Sequence, residues 1–234
     1  MRKRIGLAAA GLFLAAAAVA YGATVGFRSA TPTEFDPAHT QLVQSAWLEG
    51  IGCPTAATLS DGTPYADPAC PTGDDRDSKN EGLLLAKTGP TPNVASAIAV
   101  LHDVKGPVTE LGYDIRKPVS PDDPRGSHCG AGAPRFNVVT SDGTTYFVGC
   151  NSPPPVVLLV GNGWLRLRWG GAAPLLAFGP SGLVDISQLD VRSVSIVFDE
   201  GQDTGPDNFG LAVLDNVDVN GGLVGQGATD ASGR

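Results

Sequence analysis

Acidic residues recur in the C-terminal part of the chain, on backbone that also contains glycine and proline. The segment 199–207 has the sequence DEGQDTGPD, which spaces Asp199, Asp203 and Asp207 evenly. Calcium takes about six to eight oxygen ligands, and a flexible acidic loop can wrap around the ion. The pattern therefore predicts a structural Ca²⁺ site, although it does not match an EF-hand loop. The alternative is an ordinary solvated loop.

Asp215 is a fourth candidate ligand for the same ion. In the predicted strand 211–219 it shares its phase with Leu211, Val213 and Val217, which are apolar. An isolated carboxylate is very costly to bury, so Asp215 needs a metal, an ion pair or hydrogen bonds if it faces the core. Three explanations stay open: it binds calcium, it accepts backbone N–H bonds, or a β-bulge shifts the phase and turns it toward solvent.

A second group of residues has the chemistry of sugar recognition. Trp164, Arg166 and Arg168 alternate along a predicted strand and therefore share one face, on which Val157 and Leu159 of the neighbouring strand are also expected. A tryptophan beside guanidinium donors can stack on a sugar ring and hydrogen-bond its hydroxyls or a uronate carboxylate. In the ordinary alternative, the arginines pair with nearby acids and the tryptophan packs beneath their stems.

Turn-forming dipeptides predict two β-hairpins, and the second hairpin contains Trp164, Arg166 and Arg168. Asp-Gly and Asn-Gly favour the positive φ angles of a two-residue type I′ turn, and each stands between two apolar, β-branched segments. The two predicted hairpins are 135–140 with 145–150 around Asp142-Gly143, and 156–160 with 164–169 around Asn162-Gly163. With a two-residue turn, one wholly apolar face of the second hairpin contains the pairs Val160–Leu165, Leu158–Leu167 and Val156–Trp169.

Short strands, frequent turn signals and no βαβ rhythm predict an all-β fold, an antiparallel β-sandwich or jelly roll. We place this domain at residues 82–222, after an extended lead-in region at 21–81. Within it the segment 94–104 fits either a strand or a helix. The last residues, 223–234, are rich in Gly, Ala, Ser and Thr and are predicted to form a flexible tail.

The N-terminus carries an export signal. Basic residues at positions 2–4 precede an apolar run to Ala20, and Ala18-Val19-Ala20 suits signal peptidase. We therefore predict a signal peptide at 1–20 and a secreted or cell-surface protein with no membrane contact after cleavage. The alternative is an uncleaved N-terminal anchor, because the apolar run approaches the length that spans a membrane.

An even number of cysteines in an exported chain predicts disulfides. Four cysteines allow three pairings, and we favour Cys53–Cys70 and Cys129–Cys150 because each closes a short loop. The first would staple the loop in the lead-in region. Zinc is the rival explanation, but neither C-x-x-C nor paired-histidine spacing supports it.

Composition excludes some functions. The chain of 234 residues has a formal net charge of −8 and a sequence pI near 4.7, whereas nucleic-acid binders present a basic face to phosphates. No motif of a serine hydrolase, a zinc protease or a nucleotide-binding enzyme is present. The histidines at 39, 102 and 128 are scattered, so no catalytic residue is assigned.

The C-terminal third resembles a known class of domain. From Val191 to Asn220 an apolar strand, an acidic Gly/Pro loop and the sequence LDNVDVN follow one another. This stretch resembles the last strands of exported bacterial jelly-roll domains, among them carbohydrate-binding modules, and CGAGAPRFN at 129–137 resembles a segment of exported bacterial proteins. The resemblance implies a jelly roll, in which an aspartate at the Asp215 position can serve a structural calcium.

Together these features predict a non-catalytic exported β-sandwich that binds glycan or another ligand of the cell surface. Two other hypotheses stay open. One is a structural or adhesive protein of the cell envelope without a small ligand. The other is a secreted hydrolase whose site assembles from loops.

Overall fold

The computed structural model describes residues 27–53, 58–63, 79–89, 95–117, 133–150, 154–199 and 210–226. These residues form fourteen β-strands. The strands are β1 (Ser29–Phe35), β2 (Val43–Leu48), β3 (Gly82–Lys87), β4 (Ser96–His102), β5 (Glu110–Arg116), β6 (Arg135–Thr140), β7 (Thr145–Val148), β8 (Val156–Gly161), β9 (Trp164–Gly170), β10 (Leu176–Gly179), β11 (Gly182–Asp185), β12 (Val191–Phe198), β13 (Leu211–Val219) and β14 (Gly222–Val224).

The strands form two antiparallel sheets that pack face to face. Sheet A has the order β1-β4-β12-β6-β7-β10-β11. Sheet B has the order β2-β3-β13-β5-β9-β8, with β14 paired to β13. The all-β antiparallel sandwich predicted from the sequence is therefore confirmed. None of the described segments forms a helix of the length and apolarity that crossing a membrane requires.

Alternation along the strands builds the core between the sheets. In β9, Leu165, Leu167 and Trp169 point inward and the two arginines between them point outward, as the period of two requires. Trp169 packs edge-on against Tyr113 and Phe136, with ring centroids 5.5 and 5.8 Å away. Both polar tips are satisfied by main-chain carbonyls: the Tyr113 hydroxyl donates to Pro134, and the Trp169 indole to Gly149.

The sandwich begins earlier than the sequence predicts. Strand β1 pairs with β4 in sheet A and β2 pairs with β3 in sheet B, so residues from Ser29 onward belong to the domain and not to a separate lead-in. The ambiguous segment 94–104 contains a strand, β4. The first residues of the predicted tail, 223–224, belong to β14, which pairs with β13 through a turn at Asn220-Gly221, and residues 227–234 lie outside the described part.

The first predicted hairpin is present with a different turn. Gly143 has a φ of 86°, but Asp142 does not lie in the positive region, and the Thr140 N–H donates to the Thr144 carbonyl. This pattern is typical of a three-residue loop with a glycine bulge and not of a two-residue type I′ turn. The Asp142 carboxylate accepts hydrogen bonds from the Thr140 hydroxyl and the Thr144 N–H, which stabilises the longer loop.

The second hairpin has the predicted turn but a shifted register. Asn162 and Gly163 have φ values of 52° and 81°, as a type I′ turn requires. Next to the turn, however, a bulge at Val160 makes Leu159 pair with Leu165 and Val157 with Leu167, and Val156 opposes Arg168. The predicted pairs Val160–Leu165, Leu158–Leu167 and Val156–Trp169 are therefore wrong by one residue.

Candidate ligand-binding site

The outer face of sheet B, where the sequence places a sugar platform, is covered by the chain itself. Residues 51–53 and 58–63, here called the cover, lie over this face, and Cys53 and Leu59 pack there with Val160 and Trp164. Trp164 keeps only 1% of its surface exposed. The expectation that Trp164 forms an open stacking platform is therefore wrong. The placement of Val157 and Leu159 on the face of Trp164 is also wrong. The bulge at Val160 turns both residues to the opposite face, where they pair with Leu167 and Leu165.

Arg166 and Arg168 lie beside Trp164, but buried acids occupy their guanidinium groups. Arg166 donates through Nε and Nη2 to the two carboxylate oxygens of Asp114, at 3.0 and 3.1 Å. Arg168 reaches Asp114 at 3.4 Å and Asp218 at 2.9 Å. Asn216 donates its side-chain amide to Asp114 as well, at 3.0 Å. The ion-paired alternative considered for these arginines is the arrangement that the protein adopts.

Asp215 is fully buried on the same covered face. A bulge between Asp215 and Asp218, with Asn216 at a φ of 46°, breaks the phase of β13. Asp215 consequently points away from the core, and its carboxylate accepts backbone N–H bonds from Cys53 and Asn216, both at 2.7 Å. Two of the open explanations combine here, the shifted phase and the backbone hydrogen bonds, although the cover keeps the carboxylate from solvent.

The predicted calcium ligands are only partly within the described residues. Asp199 follows β12 of sheet A, whereas Asp215 lies inside β13 of sheet B. Asp203 and Asp207 lie outside the described part. Among the residues that the structure describes, no three acidic, histidine or cysteine side chains group around a potential metal position. The structural calcium stays a prediction.

The predicted disulfides are also only partly within the described residues. Neither Cys53 nor Cys150 is a free thiol, while Cys70 and Cys129 lie outside the described residues. Cys53 is anchored on sheet B, where its Sγ accepts a hydrogen bond from the Asn216 amide at 2.9 Å. The cover is thus fixed to β13 at Cys53, and the predicted pairs Cys53–Cys70 and Cys129–Cys150 stay predictions.

The carboxyl groups of Glu110 and Asp218 share a hydrogen bond. Burial, the hydrogen bond to Asp218 and the negative charge of Asp218 raise the pKa of Glu110 from 4.5 to about 7, against the opposing effect of Arg168. Folded protein therefore holds a proton on Glu110 at pH values where the unfolded chain has released it, and stability falls as the pH rises from 4.5 to 7.

We expect this loss to be on the order of 1 kcal/mol, since Glu110 is only half-buried and water screens the pair. In Glu110→Gln, which keeps a neutral side chain at all pH values, that part of the pH dependence should disappear. Urea unfolding of both proteins at pH 5 and pH 7.5 measures the difference. Equal changes in the two proteins would show that Glu110 titrates normally.

The outer face of sheet A offers a different site. Directly paired residues on neighbouring antiparallel strands point to the same side, so the pairings trace a line of side chains across the sheet. This line, here called the cross-strand row, runs from β1 to β11. Its members are Thr31, Val100, Ser195, Asn137, Phe147, Phe178 and Leu183.

The end of the row nearest β11 is apolar and exposed. Phe147, Phe178 and Leu183 keep 38, 43 and 46% of their surface exposed. Their neighbours along the strands, Val148 and Ala177, are buried in the core, which confirms that the three face outward. With strands about 4.8 Å apart, the four side chains from Asn137 to Leu183 span roughly 14 Å.

Polar groups border this apolar half. Among the described residues, the buried Oδ1 atom of Asn137 accepts no hydrogen bond. Arg135, two residues before Asn137 and on the same face, lies over the Phe147 ring with 5.7 Å between guanidinium carbon and ring centroid. Arg135 also forms a bidentate pair with Asp199 at 2.5 and 2.7 Å. Partial burial acts to raise the pKa of Asp199, but the hydrogen bonds and charge of Arg135 lower it below the usual value.

The arrangement suits a ligand with flat apolar faces and hydroxyl groups. Aromatic rings provide stacking surface, and an amide beside them can exchange hydrogen bonds. The local sequence around these residues does not mark them as a binding site. One signal was present: in the predicted strand 145–150, Phe147 stands opposite in phase to Tyr146 and Val148, so an outward aromatic was implied. Phe178 gave no such signal, because β10 has only four residues.

Comparison with solved structures gives weak likenesses to carbohydrate-binding modules. One is the family 11 carbohydrate-binding module of the cellulosomal cellulase Lic26A-Cel5E of Clostridium thermocellum, with 11% identity, a TM-score of 0.36 and coverage of 88% of this chain and 92% of that one. The other is a family 11 module from Clostridium thermocellum in complex with a β-1,3-1,4-mixed-linked tetrasaccharide, with 14% identity, a TM-score of 0.32 and coverage of 86% and 99%.

Both structures belong to the class that the sequence resembles, but likenesses at these scores identify no ligand. No protein-family model matches the chain. No curated protein matches it either. The function must therefore be inferred from the side chains of the chain itself.

Proposed function

We propose that this chain is a non-catalytic glycan-binding domain, and that its ligand lies along the apolar half of the cross-strand row. One observation carries the proposal: Phe147, Phe178 and Leu183 form a contiguous exposed apolar strip next to the amide of Asn137. Contiguous apolar surface of this kind on a soluble domain commonly marks an interaction site.

The chemistry of the row favours sugar over a purely apolar ligand. Sugar rings present C–H faces that pack on aromatic side chains and hydroxyl edges that need hydrogen-bonding partners. Along the row, Asn137 and Ser195 provide such partners, and Phe147 and Phe178 provide the stacking surface. The row itself contains hydroxyl, amide and apolar groups but no acid or base, which favours binding over catalysis.

Phe178→Ala tests the proposal. Truncation removes stacking surface whose burial against a ligand contributes about 1.5–3 kcal/mol, so the affinity should fall roughly ten- to a hundredfold. Retention on gels containing β-glucan, xylan, mannan or galactan identifies the ligand of the unaltered protein, and calorimetry with the retained polysaccharide measures the loss.

Phe35→Ala is the matched control. Phe35 is equally exposed and points outward from the same sheet, but it lies on β1 at the opposite edge and outside the row. Its truncation should leave the affinity unchanged. Equal losses in both variants would place the ligand elsewhere, and no retention of the unaltered protein on any glycan would favour a structural or adhesive role instead.

The proposal includes export, two disulfides and a structural calcium ion. The basic and apolar N-terminal segment supports export, and the even number of cysteines supports the pairs Cys53–Cys70 and Cys129–Cys150. The calcium is supported by the acidic composition of segment 199–207; because Asp199 is bound to Arg135, the ion would be held by the other acidic residues of that segment. These three elements extend the sequence-based predictions and do not depend on the cross-strand row.

A further inference from the structure

We propose that Asp199 is a specificity-determining residue, which makes the site on sheet A select uncharged glycans and reject anionic ones. The inference rests on the proposed function, since it concerns the same site. It comes from the position of Asp199 beside Arg135, the cationic side chain that the structure places over the Phe147 ring.

Arg135 lies where its guanidinium group could bind the carboxylate of an acidic sugar. Its side chain keeps 31% of its surface exposed, and it projects from the outer face of β6 in the same phase as Asn137. An unpaired arginine at this point would offer a planar fork of donors to a uronate carboxylate or a sulfate ester, for which arginine is well suited.

Asp199 occupies that fork. Both terminal nitrogens of Arg135 donate to the Asp199 carboxylate, at 2.5 and 2.7 Å. Because Asp199 follows β12 directly, it is held in place by the chain, and a free ligand would have to displace it. Because Asp199 neutralises Arg135, an anionic sugar finds no net positive charge at this point to compensate for the desolvation of its carboxylate.

Lys87 does not restore a positive site on the outer face. Its ammonium group donates to the main-chain oxygen of Asp199 at 2.6 Å. Lys87 extends from β3 in the phase of Val43, which is a core residue, so it reaches Asp199 from between the sheets. The cross-strand row lies on the other side of sheet A, where Arg135 and Asp199 present a neutral pair.

The test compares the unaltered protein with Asp199→Asn on two sets of polysaccharides, measured by gel retention and calorimetry. The neutral set contains β-glucan, xylan, mannan and galactan, and the anionic set contains polygalacturonate and alginate. The unaltered protein should bind a neutral polysaccharide and neither polyuronate. Asp199→Asn removes the negative charge and one of the two acceptor oxygens that hold Arg135, so the guanidinium charge is no longer compensated. Binding to a polyuronate should then rise about tenfold or more and weaken again at high salt.

Two further variants isolate the cause. Asp103→Asn removes one negative charge from an exposed turn at the far end of β4, where Asn tolerates the φ of 63°, and it should gain no polyuronate binding. The double variant Arg135→Gln with Asp199→Asn should lose the gained binding, since the receptor for the anion is then gone. Circular dichroism verifies that each variant is folded.

The outcomes separate the two proposals. Tight polyuronate binding by the unaltered protein would overturn the role of Asp199 while glycan binding stands. Absence of any gain in folded Asp199→Asn would overturn it equally. If the unaltered protein binds no polysaccharide, the proposed function fails, and a gain of polyuronate binding in Asp199→Asn would still establish that Asp199 blocks Arg135.

Discussion

Trp164→Ala should destabilise the protein by about 3–5 kcal/mol and leave its glycan affinity unchanged. Trp164 is one of the largest fully buried side chains, and it fills the space between sheet B and the cover. Its loss opens a cavity beside Cys53 and Leu59, and it removes the ring over which Arg116 lies at 5.4 Å. Urea unfolding measures the loss of stability, and calorimetry below the unfolding transition measures affinity.

Phe178→Ala should give the opposite pattern to Trp164→Ala, with weaker glycan binding and nearly unchanged stability. An exposed side chain on the outer face contributes little to folding, so the free energy of unfolding should change by about 0.5 kcal/mol or less while the affinity falls. A Trp164 variant that is stable but unable to bind glycan would mean that the cover opens in solution and that sheet B carries the ligand.

Asp114→Ala should lower the free energy of unfolding by about 3–5 kcal/mol, as much as Trp164→Ala. Asp114 is fully buried and accepts hydrogen bonds from Arg166, Arg168 and Asn216. Without it, Arg166 loses a bidentate carboxylate and Arg168 keeps only Asp218 of its two acidic partners. Removing one partner from a buried ion pair is strongly destabilising. Denaturant unfolding at neutral pH provides the measurement.

A double-mutant cycle with Arg166→Met distinguishes the ion pair from simple loss of packing. The double variant Asp114→Ala with Arg166→Met should be more stable than the sum of the two single losses predicts, because the bidentate pair between Arg166 and Asp114 can be lost only once. Strict additivity, or a loss below about 1 kcal/mol for Asp114→Ala, would show that water replaces Asp114 around the arginines.

Most strands between Gly82 and Val219 were predictable, because alternation and turn dipeptides are local properties of the sequence, whereas β1, β10, β11 and β14 were not predicted. The bulges were not predictable. At Val160 and at Asn216 a bulge inserts an extra residue into the pairing of two strands, β8 with β9 and β13 with β5. In each case outward-facing residues beside the bulge contact the cover. The cover supplies apolar contacts to Val160 and a backbone donor to Asp215, and neither contact can be read from the sequence around the bulges.

The burial of Trp164 was unpredictable because it depends on a distant segment. Trp164, Arg166 and Arg168 have the residue types of a sugar platform, and nothing local indicates that residues 51–53 and 58–63 lie over them. Phe147 and Phe178 are far apart in sequence and become neighbours only through the pairing of β7 with β10. Long-range pairing of this kind follows from the whole fold and not from a segment.

The cover on sheet B also limits how the domain can engage a polymer. Residues of the chain itself lie over the outer side of β8, β9 and β13, and in the proposed function recognition falls to the side that carries the row. Shallow contact through a single strip of about 14 Å gives modest affinity for each copy. Firm attachment to a polysaccharide would then come from avidity, through several copies displayed together or linked in tandem, in which each weak contact raises the local concentration for the next.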